Sequence, residues 1–223
     1  MLMIGLPMSG RLHPPEFSIS LRLLDFPYNM NTVWNVVKGK PVDEAREEIA
    51  QDAIDSKCKF LFFLDDDVIC PSYTVRRLFN ALAQRIPPLN NYAIAAGIYC
   101  RKSNPPEPLV YQGDGVGAFW DWKRGQLFDC ERIGTGCMLI HVPELLKIPK
   151  PWFKTSNPSP EELPENYIGS MVSDDMHFCK QVRDAGYKIL ADGGTLPAHY
   201  NHNDQKFYTL PPSSHPLEEK REA

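Results

Sequence analysis

The chain has 223 residues, of which 43% are apolar and 23% charged, and its 28 acidic residues outnumber its 24 basic residues. This length and composition are typical of a folded globular protein with a sizeable core, and they exclude an intrinsically disordered chain. The net charge of −4 gives no strong nucleic-acid signal, because broad nucleic-acid binding usually requires a basic face.

The N-terminal residues and the cysteines indicate the cellular compartment of the protein. No apolar run approaches the roughly 18 residues that a membrane span needs. Residues 1–7 are apolar but lack a basic flank, so we predict a strand there and no signal peptide. The six cysteines are scattered without a CxxC pair, which favours a reducing compartment over a zinc site. We therefore expect a cytoplasmic protein without a transmembrane segment.

Strand-like and helix-like segments alternate through the first hundred residues. Continuous apolar runs predict strands, and apolar residues spaced three and four apart predict helices. In chain order these are strand 2–6, helix 16–24, strand 32–37, helix 42–54, strand 59–64, helix 72–85 and strand 93–98. Within helix 42–54, Val42 is expected on the buried stripe together with Ala45, Ile49 and Ala53. This alternation predicts an α/β protein with a mostly parallel central sheet flanked by helices.

The second half of the chain is less regular. Strands are predicted over 126–131, 137–142 and 188–191, and a helix over 173–185, with Ser173 as its N-cap and Gly186 as its stop. We expect these elements to form a smaller antiparallel or irregular portion of the same domain, which spans 1–204. Residues 205–223 are polar and rich in proline, and are predicted to form a C-terminal tail.

Three acids, Asp65–Asp67, directly follow the apolar strand 59–64. In α/β sheets, ligands bind beyond the carboxyl ends of the strands. Adjacent carboxylates repel one another, and the hard cations Mn²⁺ and Mg²⁺ prefer oxygen ligands. Asp65 and Asp67 point the same way in an extended chain. The triplet therefore predicts a divalent cation site; the alternative is a solvated acidic turn that caps the next helix.

The order of several motifs resembles that of GT-A-fold glycosyltransferases, of the family-2-like inverting type found in small stand-alone viral and microbial members. The acidic triplet with its strand and helix is similar to the DxD region of that family. The other matching segments are Ile4–Pro7, Gly39–Arg46, Gly134–Cys137, Ser173–Phe178 and Ala198–His199. The resemblance covers about residues 2–202. It implies a Rossmann-like GT-A fold with a nucleotide-binding half over 1–100 and an acceptor-binding half over 101–204.

The resemblance also implies a reaction, the transfer of a single sugar from a nucleotide-diphosphate sugar to an acceptor hydroxyl with inversion. Asp67 and His199, assisted by Asp65, are the expected ligands of the cation that neutralises the leaving diphosphate. His202 is the competing histidine ligand.

Two acids at the start of helix 173–185 are the expected catalytic residues. By resemblance Asp175 is the general base, and Asp174 holds the acceptor or tunes the pKa of its neighbour. The alternative is that both are first-turn acids favoured by the helix dipole.

The remaining expectations concern substrates. The nucleotide sugar, of UDP or GDP type, is expected to contact Pro7, Ser9, Arg46, Asp65, Asp66 and Gly136. Arg46 suits a phosphate, and an ion pair with Asp43 or Glu47 is the alternative. The acceptor is a glycan, a glycoconjugate or a small molecule. Trp120, Trp122 and Trp152 either stack on sugar or pack in a local core.

Two other functions stay open. One is a nucleotide-sugar or glycan-binding module without turnover, since a fold does not prove catalysis. The other is a sugar-phosphate nucleotidyltransferase, although the segment Leu6–Arg11 lacks the glycine-rich loop of those enzymes. A QxxRW motif is also missing, which argues against a processive polysaccharide synthase.

Overall fold

A computed structural model describes residues 1–113, 117–156 and 172–211 of the chain. Its strands are β1 (Leu2–Met8), β2 (Thr32–Lys38), β3 (Phe60–Leu64), β4 (Val68–Ile69), β5 (Tyr92–Gly97), β6 (Val110–Tyr111), β7 (Leu127–Cys130), β8 (Arg132–Ile133), β9 (Cys137–His141), β10 (Lys188–Asp192), β11 (Ala198–Asn201) and β12 (Lys206–Tyr208). Its helices are α1 (Pro15–Leu23), α2 (Val42–Asp55), α3 (Thr74–Ala83), α4 (Val142–Leu145) and α5 (Asp174–Asp184). The strands and helices predicted from the sequence are all present, with bounds within a few residues of those expected.

A seven-stranded sheet organises the described residues, in the order β2-β1-β3-β9-β5-β10-β7. Strands β2, β1, β3, β5 and β10 run in one direction, so the prediction of a mostly parallel sheet is confirmed. Strands β3 and β5, both predicted for the parallel sheet, are separated by β9, which is antiparallel to both. All five residues of β9 are buried, and this continuous apolar run fits the centre of a sheet that is covered on both faces.

Helices cover both faces of the sheet with separate apolar layers. Residues Ala45, Ile49 and Ala53 of α2 share one core with Phe178 and Val182 of α5. Residues of α1 and α3, among them Phe17, Val75, Leu78 and Leu82, form the other core. The prediction that Val42 belongs to the buried stripe of α2 is wrong, because this first helical residue is 42% exposed.

Close packing between α2 and β1 depends on one glycine. A Cβ atom at Gly5 would lie 2.5 Å from Cγ2 of Ile49. The missing side chain lets Ile49 pack directly on the strand, where it is fully buried. This contact fixes α2, and therefore Arg46, against the sheet.

A small antiparallel sheet of order β12-β11-β4 lies beside the carboxyl end of β3. Strand β4 begins directly after the acidic triplet, and Val68 of β4 pairs with His199 of β11. Strand β12 lies within the predicted tail and pairs with β11, and Leu210 is also buried. Residues 212–223 of that predicted tail lie outside the described residues.

Over residues 1–113, 117–156 and 172–211, none of the helices combines the length and the apolar character needed to cross a membrane.

Candidate functional site

The three acids that follow β3 face three different partners. The turn is held by backbone hydrogen bonds, from Asp65 N–H to the Gly136 carbonyl (3.1 Å) and from Val68 N–H to the Asp65 carbonyl (3.1 Å). Asp65 contacts Arg46, Asp66 accepts from Ser9, and Asp67 contacts Lys102. The chain thus separates three adjacent carboxylates by giving each its own hydrogen-bond donor, which offsets their mutual repulsion.

Asp66 ties the loop after β1 to the acidic triplet. Its Oδ2 accepts hydrogen bonds from both the backbone N–H and the hydroxyl of Ser9, each 2.8 Å long. Beside this contact lies a cleft of about 340 Å³, whose lining includes Pro7, Ser9, Arg11, Lys40, Asp65 and Asp67. The structure therefore brings the predicted residues Pro7 and Ser9 together with the triplet. Arg11 and Lys40 are cationic lining residues to which the sequence analysis assigned no role.

Asp67 is surrounded by nitrogen donors. Nζ of Lys102 lies 2.5 Å from its Oδ2, and Nε2 of His199 lies 3.4 Å from its Oδ1. Burial raises the pKa of this carboxyl, but the hydrogen bonds and charges of His199 and Lys102 outweigh burial and lower the pKa to about 2. Asp67 is therefore held as an anion at neutral pH. Lys102 was missed because it lies on an irregular loop, where no periodic pattern marks it.

His199 is oriented by the backbone. Its Nδ1 lies 2.7 Å from the Cys100 carbonyl oxygen, which can only accept, so Nδ1 carries the proton. Nε2 is then the nitrogen that faces Asp67. The Cys100 carbonyl therefore fixes the ring so that its Nε2 side is turned toward Asp67.

The donor atoms that could hold a metal come from Asp66, Asp67 and His202. One atom from each residue lies within 4.8 Å of the other two. Nε2 of His202 is buried and has no hydrogen-bond partner among the described residues. Carboxylate oxygens with one imidazole nitrogen suit Mn²⁺ or Mg²⁺, so the residues present fit such a cation. Of the predicted ligands, Asp67 belongs to this group, whereas Asp65 and His199 lie beside it.

Arg46 joins the acidic triplet to the start of α5. This buried guanidinium lies 2.7 Å from both carboxylate oxygens of Asp65 and 2.5 Å from Oδ2 of Asp174. Neither alternative partner from the sequence analysis is used. Asp43 accepts a 2.9 Å hydrogen bond from the backbone of Thr155, and Glu47 accepts from the backbone N–H groups of residues 152 and 153.

Asp175 lies beside this network without joining the Arg46 pair. Its Oδ1 accepts hydrogen bonds from the Ser173 hydroxyl and from the Met176 N–H, the latter 2.9 Å long. Ser173 occupies the N-cap position, as predicted, but its side chain donates to Asp175 and does not cap the helix. Burial and the neighbouring charge of Asp174 raise the pKa of Asp175. A carboxylate with a raised pKa is a better proton acceptor than an exposed one.

Gly136 and Tyr99 pack together beside the Asp65 carboxylate. The Gly136 N–H donates a 3.0 Å hydrogen bond to the Tyr99 hydroxyl. A Cβ atom at position 136 would lie 2.7 Å from Oδ2 of Asp65, so only glycine permits this close approach. Burial, and then the charges of Asp65 and Asp175, raise the pKa of Tyr99, which therefore stays neutral. Tyr99 was missed because an aromatic residue after a buried strand resembles an ordinary core residue.

Two of the three candidate tryptophans belong to the core. Trp122 and Trp152 are 5% and 2% exposed, and their indole N–H groups donate to the carbonyl oxygens of Phe119 and Ile148. Trp120 is partly buried against the same core. For Trp122 and Trp152 the packing alternative is therefore the correct interpretation.

Comparison with known proteins gives structural matches only. No family model matches the chain, and no curated protein matches it in sequence. A197 from STIV matches with a TM-score of 0.61 at 17% identity, over 94% of each chain, so the two share a fold.

Two further matches are weaker. GalNAc-T7 with UDP, GalNAc and Mn²⁺ has a TM-score of 0.48 at 11% identity, over 87% of this chain and 37% of that one. A glycosyltransferase involved in the glycosylation of the major capsid of PBCV-1 has a TM-score of 0.33 at 14% identity, over 84% and 92% of the two chains. The α/β architecture described above is consistent with a GT-A-like fold.

Proposed function

We propose that this chain is a metal-dependent glycosyltransferase that transfers one sugar from a nucleotide-diphosphate sugar to an acceptor hydroxyl, with inversion. The observation that carries the proposal is the Arg46 bridge. It joins the acidic triplet, which lines a cleft, to the start of a helix where Asp175 has a raised pKa. A cation-type site beside a carboxylate base is the arrangement that glycosyl transfer needs.

The donor side of the reaction uses the cleft beside Ser9. Asp66, Asp67 and His202 would hold Mn²⁺ or Mg²⁺, and His199 would keep Asp67 oriented. When bound, such a cation neutralises the charge that develops on the leaving diphosphate. Ser9, Arg11 and Lys40 line the space beside these ligands and are suited to anionic and hydroxyl groups of the nucleotide.

Asp175 is the proposed general base. As the acceptor oxygen forms its bond to the anomeric carbon, the hydroxyl proton moves to the Asp175 carboxylate. The bond between the anomeric carbon and the diphosphate oxygen breaks, and the electron pair leaves with the diphosphate. Asp174, held by Arg46, remains an acceptor for substrate hydroxyls and keeps negative charge beside the base. Attack from the face opposite the leaving group inverts the anomeric configuration.

A nucleotide-release screen tests this function. Purified protein with Mn²⁺ is incubated with UDP- and GDP-sugars and with pooled glycan acceptors, and nucleotide release is followed. Release by the wild type that is lost in Asp175→Asn supports the proposal. Binding without release for every donor and acceptor points to a binding module. Formation of a nucleoside triphosphate from added pyrophosphate points to a nucleotidyltransferase. A product with retained anomeric configuration in an NMR assay overturns the inverting mechanism.

A further inference from the structure

Lys102 is a charged residue in contact with Asp67 to which the proposed mechanism assigns no role. It follows β5 on the loop between residues 98 and 109. The base of that loop is held by hydrogen bonds from Arg101 N–H to the Glu107 carbonyl (2.7 Å) and from Leu109 N–H to the Tyr99 carbonyl (2.9 Å). The backbone at Lys102 is thus fixed, while its four-carbon side chain keeps rotational freedom.

The Lys102 ammonium contacts Asp67, one of the three residues that could hold a metal. Its Nζ is 2.5 Å from Oδ2 of Asp67, and the two side chains are 26% and 19% exposed. His199 already takes the other oxygen of the same carboxylate. A cation that binds Asp67 must therefore share this carboxylate with a positive charge a few ångströms away, and the two repel each other.

We propose that Lys102 is an internal counter-charge that competes with the divalent cation for Asp67 and, once displaced, binds an anionic oxygen of the donor's diphosphate. This inference rests on the proposed function, because it assigns Lys102 to the diphosphate of the same donor. It makes Lys102 a binding residue whose two positions depend on whether the cation is bound. The side chain needs only a rotation about its own bonds to leave Asp67, since the loop base is held by its backbone.

Removal of the Lys102 charge should change the affinities for two ligands in opposite directions. Removal of the ammonium removes repulsion from the cation site, so the affinity for metal alone should rise. The same removal takes away a positive charge from the diphosphate site, so the affinity for a diphosphate in the presence of metal should fall. A residue with a purely structural role would not move the two affinities in opposite directions.

The test measures binding of Mn²⁺ alone by electron paramagnetic resonance in the wild type, Lys102→Met and Lys102→Arg. We expect Lys102→Met to bind Mn²⁺ on the order of tenfold more tightly, and Lys102→Arg to resemble the wild type. Arg101→Met is the matched control, because it removes one charge from the same loop at a side chain that is 62% exposed and pairs with Glu107. Circular dichroism checks that each variant is folded.

A second titration uses inorganic pyrophosphate at saturating Mg²⁺, followed by calorimetry. We expect its affinity to fall about tenfold in Lys102→Met and to be largely restored in Lys102→Arg. Equal or weaker Mn²⁺ binding by Lys102→Met overturns the competition. Unchanged pyrophosphate affinity overturns the diphosphate contact. Mn²⁺ binding by neither the wild type nor Lys102→Met overturns the metal requirement of the proposed function as well, which separates the two failures.

Discussion

Asp67 and Asp175 are both partly buried aspartates, and their surroundings move their pKa values in opposite directions. Asp67 faces Lys102 and His199, which lower its pKa to about 2 in spite of burial. Asp175 has hydrogen bonds but no cation of its own, and burial with the charge of Asp174 raises its pKa. Two carboxylates with diverging pKa values can divide the work, one as a permanent anion and one as a proton acceptor.

The largest expected effect is the loss of activity on substitution of Asp67. Asp67→Ala removes a ligand of the proposed cation, so we expect activity to fall by about a thousandfold or more, which corresponds to the several kcal/mol that a metal ion contributes. Nucleotide release measured across a Mn²⁺ titration checks this. Asp55→Ala, at an exposed position of α2, should behave like the wild type. A variant at Asp67 with full activity would contradict the metal site.

Asp175→Asn tests the proposed role of Asp175 as the proton acceptor. The amide keeps the shape of the side chain but cannot accept the proton, so kcat should fall by about a hundredfold to ten-thousandfold. Binding of Mn²⁺, measured by electron paramagnetic resonance, should stay unchanged. Asp184→Asn, at the exposed opposite end of α5, is the control. A loss of metal binding together with kcat would show that the two regions are one site and not two.

Arg46→Met breaks the link between the two regions. The buried carboxylate of Asp174 and the partly buried carboxylate of Asp65 would lose their common cation, and we expect about 3–5 kcal/mol of unfolding free energy to be lost. Urea denaturation measures this change. Arg22→Met, on the exposed side of α1, should change stability by less than about 0.5 kcal/mol. The double variant Arg46→Met with Asp65→Asn should recover part of the loss, and no recovery would contradict the pairing.

The smallest expected effect is on the pH dependence of kcat. Asp175 accepts a proton only when ionised, and its pKa is raised above the ordinary 3.8. Activity should therefore fall as the pH drops through a value above 3.8, and it should be constant on the basic side of that value. The acidic limb should disappear from the residual activity of Asp175→Asn. An acidic limb that persists in the variant would assign the titration to a different group.

The fold was largely predictable because its signals are local. The continuous apolar run before Asp65 marks β3, and apolar periodicity marks α2 and α3. The antiparallel insertion of β9 between β3 and β5 was not predictable, because a buried strand has the same apolar pattern in either direction. Short strands such as β4 and β11 were missed, because two to four residues give no period to detect.

The sequence determined where the acidic triplet lies, since three acids after a buried strand must lie at the carboxyl edge of the sheet. Only the tertiary structure decided the partner of each acid. Arg46 lies 19 residues from Asp65 and 128 from Asp174 along the chain, and no local pattern encodes such contacts. The same reason applies to the histidines: pairing of β11 with β4 sets His199 beside Asp67 and brings His202 into the group with Asp66 and Asp67. Long-range packing thus places different groups beside the aspartates of the site. These groups shift the pKa values of Asp67 and Asp175 in opposite directions.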